Sequence, residues 1–176
     1  MTPLYLTLAH DADIMPAVYR SIDAAYDPHA GAHAWVVEYP SAYKDKAHHA
    51  LIRATLADFL HMEAANLRIA YLPSGKPILA PTHADYMISI AHAGTMLAFA
   101  ISRSAIGIDI EFPNARIDHD AVAEQFFAAP QYAAFSALAG AAKQDFFYEQ
   151  WTAREARFKA GSDARLVFTR QRYCIC

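Results

Sequence analysis

Two short stretches of the chain combine charged groups in spacings that can do chemistry. In GIDIE, residues 107–111, Asp109 and Glu111 stand two apart with isoleucines between and before them. On a β-strand that spacing turns both carboxylates to one face, and two hard oxygen ligands side by side suit a Mg²⁺ ion that completes its octahedron with water and phosphate oxygens. The same alternation also suits a strand with one wet face. In EARFK, residues 155–159, Glu155 and Lys159 stand four apart, one above the other on a helix. Packed beside the strand, Glu155 would supply a third ligand or a general base, and Lys159 a positive clamp on phosphate. As an isolated surface pair they would contribute only about 0.3 kcal/mol.

Those residues need elements to hold them. YMISIA (86–91), MLAFAIS (96–102) and IGIDIE (106–111) read as three strands joined by the short links HAGT and RSA, lengths that suit hairpins. An antiparallel meander of the three would bring His92, at the first link, to the end of the sheet where Glu111 closes the third strand. Residues 143–160 read as a helix with Gly161 as its C-cap, and Trp151, Glu155 and Lys159 recur on it at steps of four. Residues 118–138 read as two helices meeting near Pro130, and 41–62 as an amphipathic helix with Lys44, Lys46, His48, His49 and Arg53 in its first half. That basic group is either a solvated face or a seat for an anion. HAWVVEY (33–39) reads as the one strand of the first forty residues, NLRIAYLP (66–73) as another, SGKPILAP (74–81) as turns, and the tail as a last strand or hairpin.

With 176 residues, 55% of them hydrophobic and 19% charged, the chain is expected to form one compact unit, 1–176. A net charge of -3 gives no support to nucleic-acid binding. The beginning lacks a secretory leader pattern and no apolar run is long enough to span a bilayer, so a cytoplasmic location without membrane attachment is expected. The two cysteines, Cys174 and Cys176, are too close for an ordinary bridge, and the nine histidines are scattered.

Taken in order, GKP (75–77), ISIAHAG (88–94), GIDIE (107–111), FF (126–127) and WTAREARFK (151–159) resemble the 4′-phosphopantetheinyl transferase superfamily, Sfp type, which includes holo-acyl-carrier-protein synthase-like enzymes. The resemblance implies an α+β fold of two similar halves, about 1–103 and 104–176, with antiparallel sheets related by a pseudo-twofold, the second half shortened. It implies transfer of the 4′-phosphopantetheine arm of coenzyme A to a serine of an acyl or peptidyl carrier protein, Mg²⁺-dependent, with release of 3′,5′-ADP. Asp109, Glu111 and Glu155 fall on the family's metal ligands, and Glu155 and Lys159 on its catalytic base and diphosphate-contacting lysine. His92 falls on the histidine that contacts the 3′-phosphate of coenzyme A, and Lys76 on the lysine of the GKP turn beside the nucleotide. His49 takes the place of a phosphate-binding arginine on the helix that also carries Lys44. Alanines flank His92 where the family usually has hydroxyl residues. That departure, with His49, keeps a second expectation open: a catalytically degenerate module that binds coenzyme A or a carrier protein.

Overall fold

The apolar runs on either side of Gly94 form the hairpin at the centre of the molecule. The computed structural model describes residues 5–10, 17–19, 31–38, 46–80, 83–161 and 165–167. Along the chain lie β1 (Tyr5–His10), β2 (Ala17–Tyr19), β3 (Ala32–Glu38), α1 (Lys46–Phe59), β4 (Ile69–Tyr71), β5 (Pro77–Leu79), β6 (Met87–Ala93), β7 (Met96–Ser102) and β8 (Ile106–Glu111). They are followed by α2 (His119–Phe126), α3 (Ala129–Ser136), α4 (Gly140–Ala160) and β9 (Arg165–Val167). This is the α+β class the sequence implied. The hairpin of β6 and β7 turns tightly, with Ala93 opposite Met96 and Gly94 at φ 55°, a left-handed value that a two-residue hairpin turn asks of its first residue.

Among the described residues the strands make two sheets, ordered β2-β3-β7-β6-β5-β4 and β8-β1-β9. All described pairings are antiparallel except β2 with β3, which run parallel. The predicted three-strand meander is therefore corrected: β6 and β7 pair, but β8 pairs with β1, setting Asp109 opposite Thr7 and Glu111 opposite Tyr5. The reason is that β7 already has β6 on one edge and β3 on the other, so its hydrogen-bonding groups are taken. The link 103–105 instead carries the chain from one sheet to the other. The first forty residues likewise hold three strands where one was predicted.

Alternation along β7 explains the packing. Leu97, Phe99 and Ile101 face Ile52 and Leu56 of α1. Ala98 and Ala100, with Ala34 and Ala91, face Ile106, Ile108 and Ile110 of β8. Small side chains on one sheet thus receive large ones from the other. Each of the three buried isoleucines contributes about 2 kcal/mol at most. The Ile108 N–H donates to Ser89 Oγ at 3.0 Å, tying β8 to the back of β6.

On the other face of β8 lies α4, which also crosses β1. A third core, of Ala123, Phe135, Phe147 and Tyr148, joins α4 to α2 and α3. The Asp118 carboxylate caps α2 by accepting the Ala121 N–H at 3.1 Å. Pro130 sits in the first turn of α3, where its missing N–H leaves no helical bond unmade. No helix of the described residues is long and apolar enough to cross a membrane.

Candidate active site

Gly107 determines how near the helix comes to the strand. A Cβ there would stand 1.9 Å from the Ala156 carbonyl oxygen and 2.6 Å from the Ala160 nitrogen, so only glycine admits α4 at this depth. Two residues on along β8, on the same face, Asp109 meets the helix. Its Oδ1 accepts from Lys159 Nζ at 2.7 Å, and the same ammonium donates to the Ile108 carbonyl at 3.3 Å. Both acceptors belong to the strand, so the two bonds clamp α4 to β8. A third ammonium hydrogen remains, on a side chain that is 31% exposed.

The acids are crowded. Asp109 is 6% exposed and its Oδ2 is buried with no hydrogen-bond partner. Burial raises its pKa above the usual carboxylate range even though Lys159 pulls it down. Glu111 is pushed up to about 7, by burial first and then by the negative charge of Asp109, with Lys159 opposing and Glu155 adding to the rise. Like charges gathered around an orphaned buried oxygen are a donor set that a divalent cation would stabilise. Asp109, Glu111 and Glu155 therefore fit such an ion in charge and donor chemistry. Among the described residues no three His, Cys, Asp or Glu side chains are drawn tightly enough together to form a ready-made metal cage.

Beside this cluster is a cleft of about 360 Å³. The turn at 74–77 lines one side with Lys76, the middle of β6 supplies the floor, and Glu155, Phe158 and Lys159 of α4 form the other side. The cleft exists because β5 pairs with β6 only at Ile78 and Met87, which leaves the rest of that β6 edge uncovered. It thus brings together Lys76, Glu155 and Lys159, which are far apart in sequence.

The predicted histidines lie elsewhere. His92 and His49 are exposed and are not among the side chains that line the cleft. His92 faces the α1 side of β6 with its ring 5.9 Å from that of His48. His49, one position on and about 100° around the helix, turns to Tyr71, whose hydroxyl lies 3.3 Å from His49 Nδ1. Lys44 lies outside the described residues, as do Cys174 and Cys176.

The aromatic residues divide by face. Trp151 stacks on Phe147 at 6.1 Å, and Phe127 packs against Phe135 and Phe147, so both serve the helical core. Phe126 is 37% exposed, with the Arg154 guanidinium 5.0 Å over its ring. Steps of four drift about 40° each around a helix, which is how Trp151 serves the core while Lys159 reaches β8. Two contributors to the site were not singled out in the sequence. Ser89 would have been detectable from the two-residue period of β6, which sets it opposite in face to His92; Phe158, 81% exposed at the cleft, gives no local signal.

An α+β scaffold with this site has counterparts. Residues 105–169 match the profile of the 4′-phosphopantetheinyl transferase superfamily. The chain is 29% identical over 116 residues to 4′-phosphopantetheinyl transferase HetI of Nostoc sp. (strain PCC 7120), covering 64% of this chain and 49% of that protein. It is 32% identical over 124 residues to 4′-phosphopantetheinyl transferase gsp of Aneurinibacillus migulanus, covering 70% of this chain and 50% of that protein. The chain belongs to the 4′-phosphopantetheinyl transferase superfamily. It spans about half the length of these curated relatives.

Proposed function

We propose that this chain carries the catalytic face of an Sfp-type phosphopantetheinyl transferase, acting in the cytoplasm on an acyl or peptidyl carrier protein with coenzyme A as donor. The observation that carries the reading is the cleft that gathers Lys76, Glu155 and Lys159 beside the crowded pair Asp109 and Glu111. A diphosphate needs positive charge on its oxygens and an acceptor for the attacking hydroxyl's proton, and its transfer is mainly a matter of positioning.

In this reading the carrier serine oxygen bonds to the phosphorus that bears the pantetheine arm. The bond from that phosphorus to the bridging oxygen breaks, and 3′,5′-ADP leaves with the bonding electrons. Glu155 takes the serine proton. Lys159, oriented by Asp109 and the Ile108 carbonyl, turns its remaining hydrogen to the leaving phosphate, and Lys76 holds the nucleotide end from the opposite side. Asp109, Glu111 and Glu155 would hold Mg²⁺, which when bound supplies positive charge to the diphosphate oxygens. His92 and His49, on the face beyond β6, would meet the 3′-phosphate outside the cleft proper.

The test is incubation with an apo carrier protein, coenzyme A and Mg²⁺, read by mass spectrometry. The carrier should gain one phosphopantetheine arm, and Asp109→Ala and Glu155→Ala should each lower the rate at least about a hundredfold. Unchanged mass on a panel of acyl and peptidyl carriers would reject the proposal. A second reading, a module that binds coenzyme A or a carrier protein without transfer, draws support from Lys159 occupying Asp109 in place of a closed three-carboxylate cage. Calorimetric binding of coenzyme A together with unchanged carrier mass would favour it.

A further inference from the structure

The crowded acids sit toward the end of β8, and just beyond that end the chain meets a buried hydroxyl that the proposed chemistry does not use. Tyr148 of α4 is 1% exposed. Its Oη accepts the Asn114 N–H at 2.7 Å, three residues past Glu111. The same hydroxyl is hydrogen-bonded to His119 Nε2 at 3.0 Å. Burial holds the His119 pKa below the ordinary histidine value, against the pull of Asp120 and Asp118. Its ring lies 4.3 Å from Phe147 and edge-on to Tyr148 at 5.2 Å, so its orientation is set by packing.

The helix seam gives this contact its leverage. Tyr148, Thr152, Glu155 and Lys159 follow one another at steps of four, three and four, the spacing of a single face. That face is tied to the strand segment at two separated places, through Lys159 to Asp109 and through Tyr148 to Asn114. Glu111 lies between the two ties. Phe112, next to it, is wedged against Gly94, where an added Cβ would stand 3.3 Å from its ring. The Glu111 charge also reaches the Tyr148 hydroxyl and, after burial, raises its pKa.

We infer that Tyr148, oriented by His119, is a positioning residue that sets where the Glu111 carboxylate stands relative to Asp109 and Glu155, and hence how well the three hold a divalent cation. The inference rests on the metal reading proposed above. It makes Tyr148 and His119 part of the site although neither lines the cleft.

The experiment measures Mn²⁺ binding to the unaltered protein, Tyr148→Phe, His119→Ala and His119→Gln by the electron paramagnetic resonance signal of free Mn²⁺, with melting temperature recorded for each. Tyr148→Phe keeps the ring and its packing but removes the acceptor of the Asn114 N–H. It should weaken Mn²⁺ about tenfold, the lower end of what loss of a ligand-orienting contact costs. His119→Ala, at a position less buried than Tyr148, serves if Tyr148→Phe fails to fold and should weaken it in the same direction. His119→Gln, whose amide can still hydrogen-bond the Tyr148 hydroxyl, should recover part of the loss. Equal Mn²⁺ affinity in every folded variant would overturn the inference, including the case where only melting temperature falls, since that is what a purely structural contact would give. An unaltered protein that binds no Mn²⁺ would overturn the metal reading and this inference with it.

Discussion

Glu111 shows how a single side chain carries the tension of this site. Its pKa stands near 7 in the folded chain against an ordinary value of 4.5, chiefly through burial and the charge of Asp109. Between those two values the folded state binds more protons than the unfolded one. The stability tied to this group is therefore fully present below pH 4.5 and is lost as pH rises through about 7. In the presence of a chelator the melting temperature should fall from pH 5 to pH 8. Glu111→Gln should fall less over that range and should melt higher than the unaltered protein at pH 8. Identical slopes in calorimetry would mean that Glu111 is not held in the strained, charged neighbourhood described here. Added Mg²⁺ should recover much of the loss at pH 8, because it binds the ionised form.

Gly107 and the helix above it are the element-scale counterpart. The apolar alternation of β8 seats Ile106, Ile108 and Ile110 against the alanines of the central sheet, and the opposite face then receives α4. Contact of Gly107 with the Ala156 and Ala160 backbone sets the helix height, and Lys159 and Tyr148 lock its register. Gly107→Ala should cost about 3 kcal/mol or more, because the atoms it meets are helix backbone and cannot rotate away. Chemical denaturation should read that loss, and any residual folded protein should have weakened transfer because Glu155 and Lys159 move together. A Gly107→Ala protein as stable as the original would show that α4 is not pressed against β8 so closely.

At the scale of the whole molecule, the site depends on two sheets meeting. Lys76 comes from the turn after β4, beside the edge of the six-stranded sheet, whereas Asp109 belongs to the three-stranded sheet and Glu155 to the helix that covers it. If Lys76 holds the nucleotide end of the donor, Lys76→Ala should raise KM for coenzyme A about tenfold while kcat changes little, since one charged hydrogen bond of about 1.5 kcal/mol is lost from ground and transition states alike. A fall in kcat at unchanged KM would place Lys76 in the chemical step instead. The chain's correspondence to about half of each relative bears on the same scale.

Much of this was written in local pattern. The two-residue step of Asp109 and Glu111 requires one shared face on any strand, the four-residue step of Glu155 and Lys159 requires one face on any helix, and Asp118, Pro130 and Gly161 mark where helices start and stop by their own backbone chemistry. Those features depend on neighbours a few residues away, so the sequence by itself determined them. It did not determine that β8 leaves the hairpin to pair with β1, because that depends on β3 having taken the far edge of β7 from a distant part of the chain. Nor could it say that Lys159 would close on Asp109, that His92 would meet His48 while His49 turned to Tyr71, or that Tyr148 would reach Asn114. Edge occupancy, helix height and side-chain reach are settled only when distant segments compete for the same space, and that competition exists only in the folded chain.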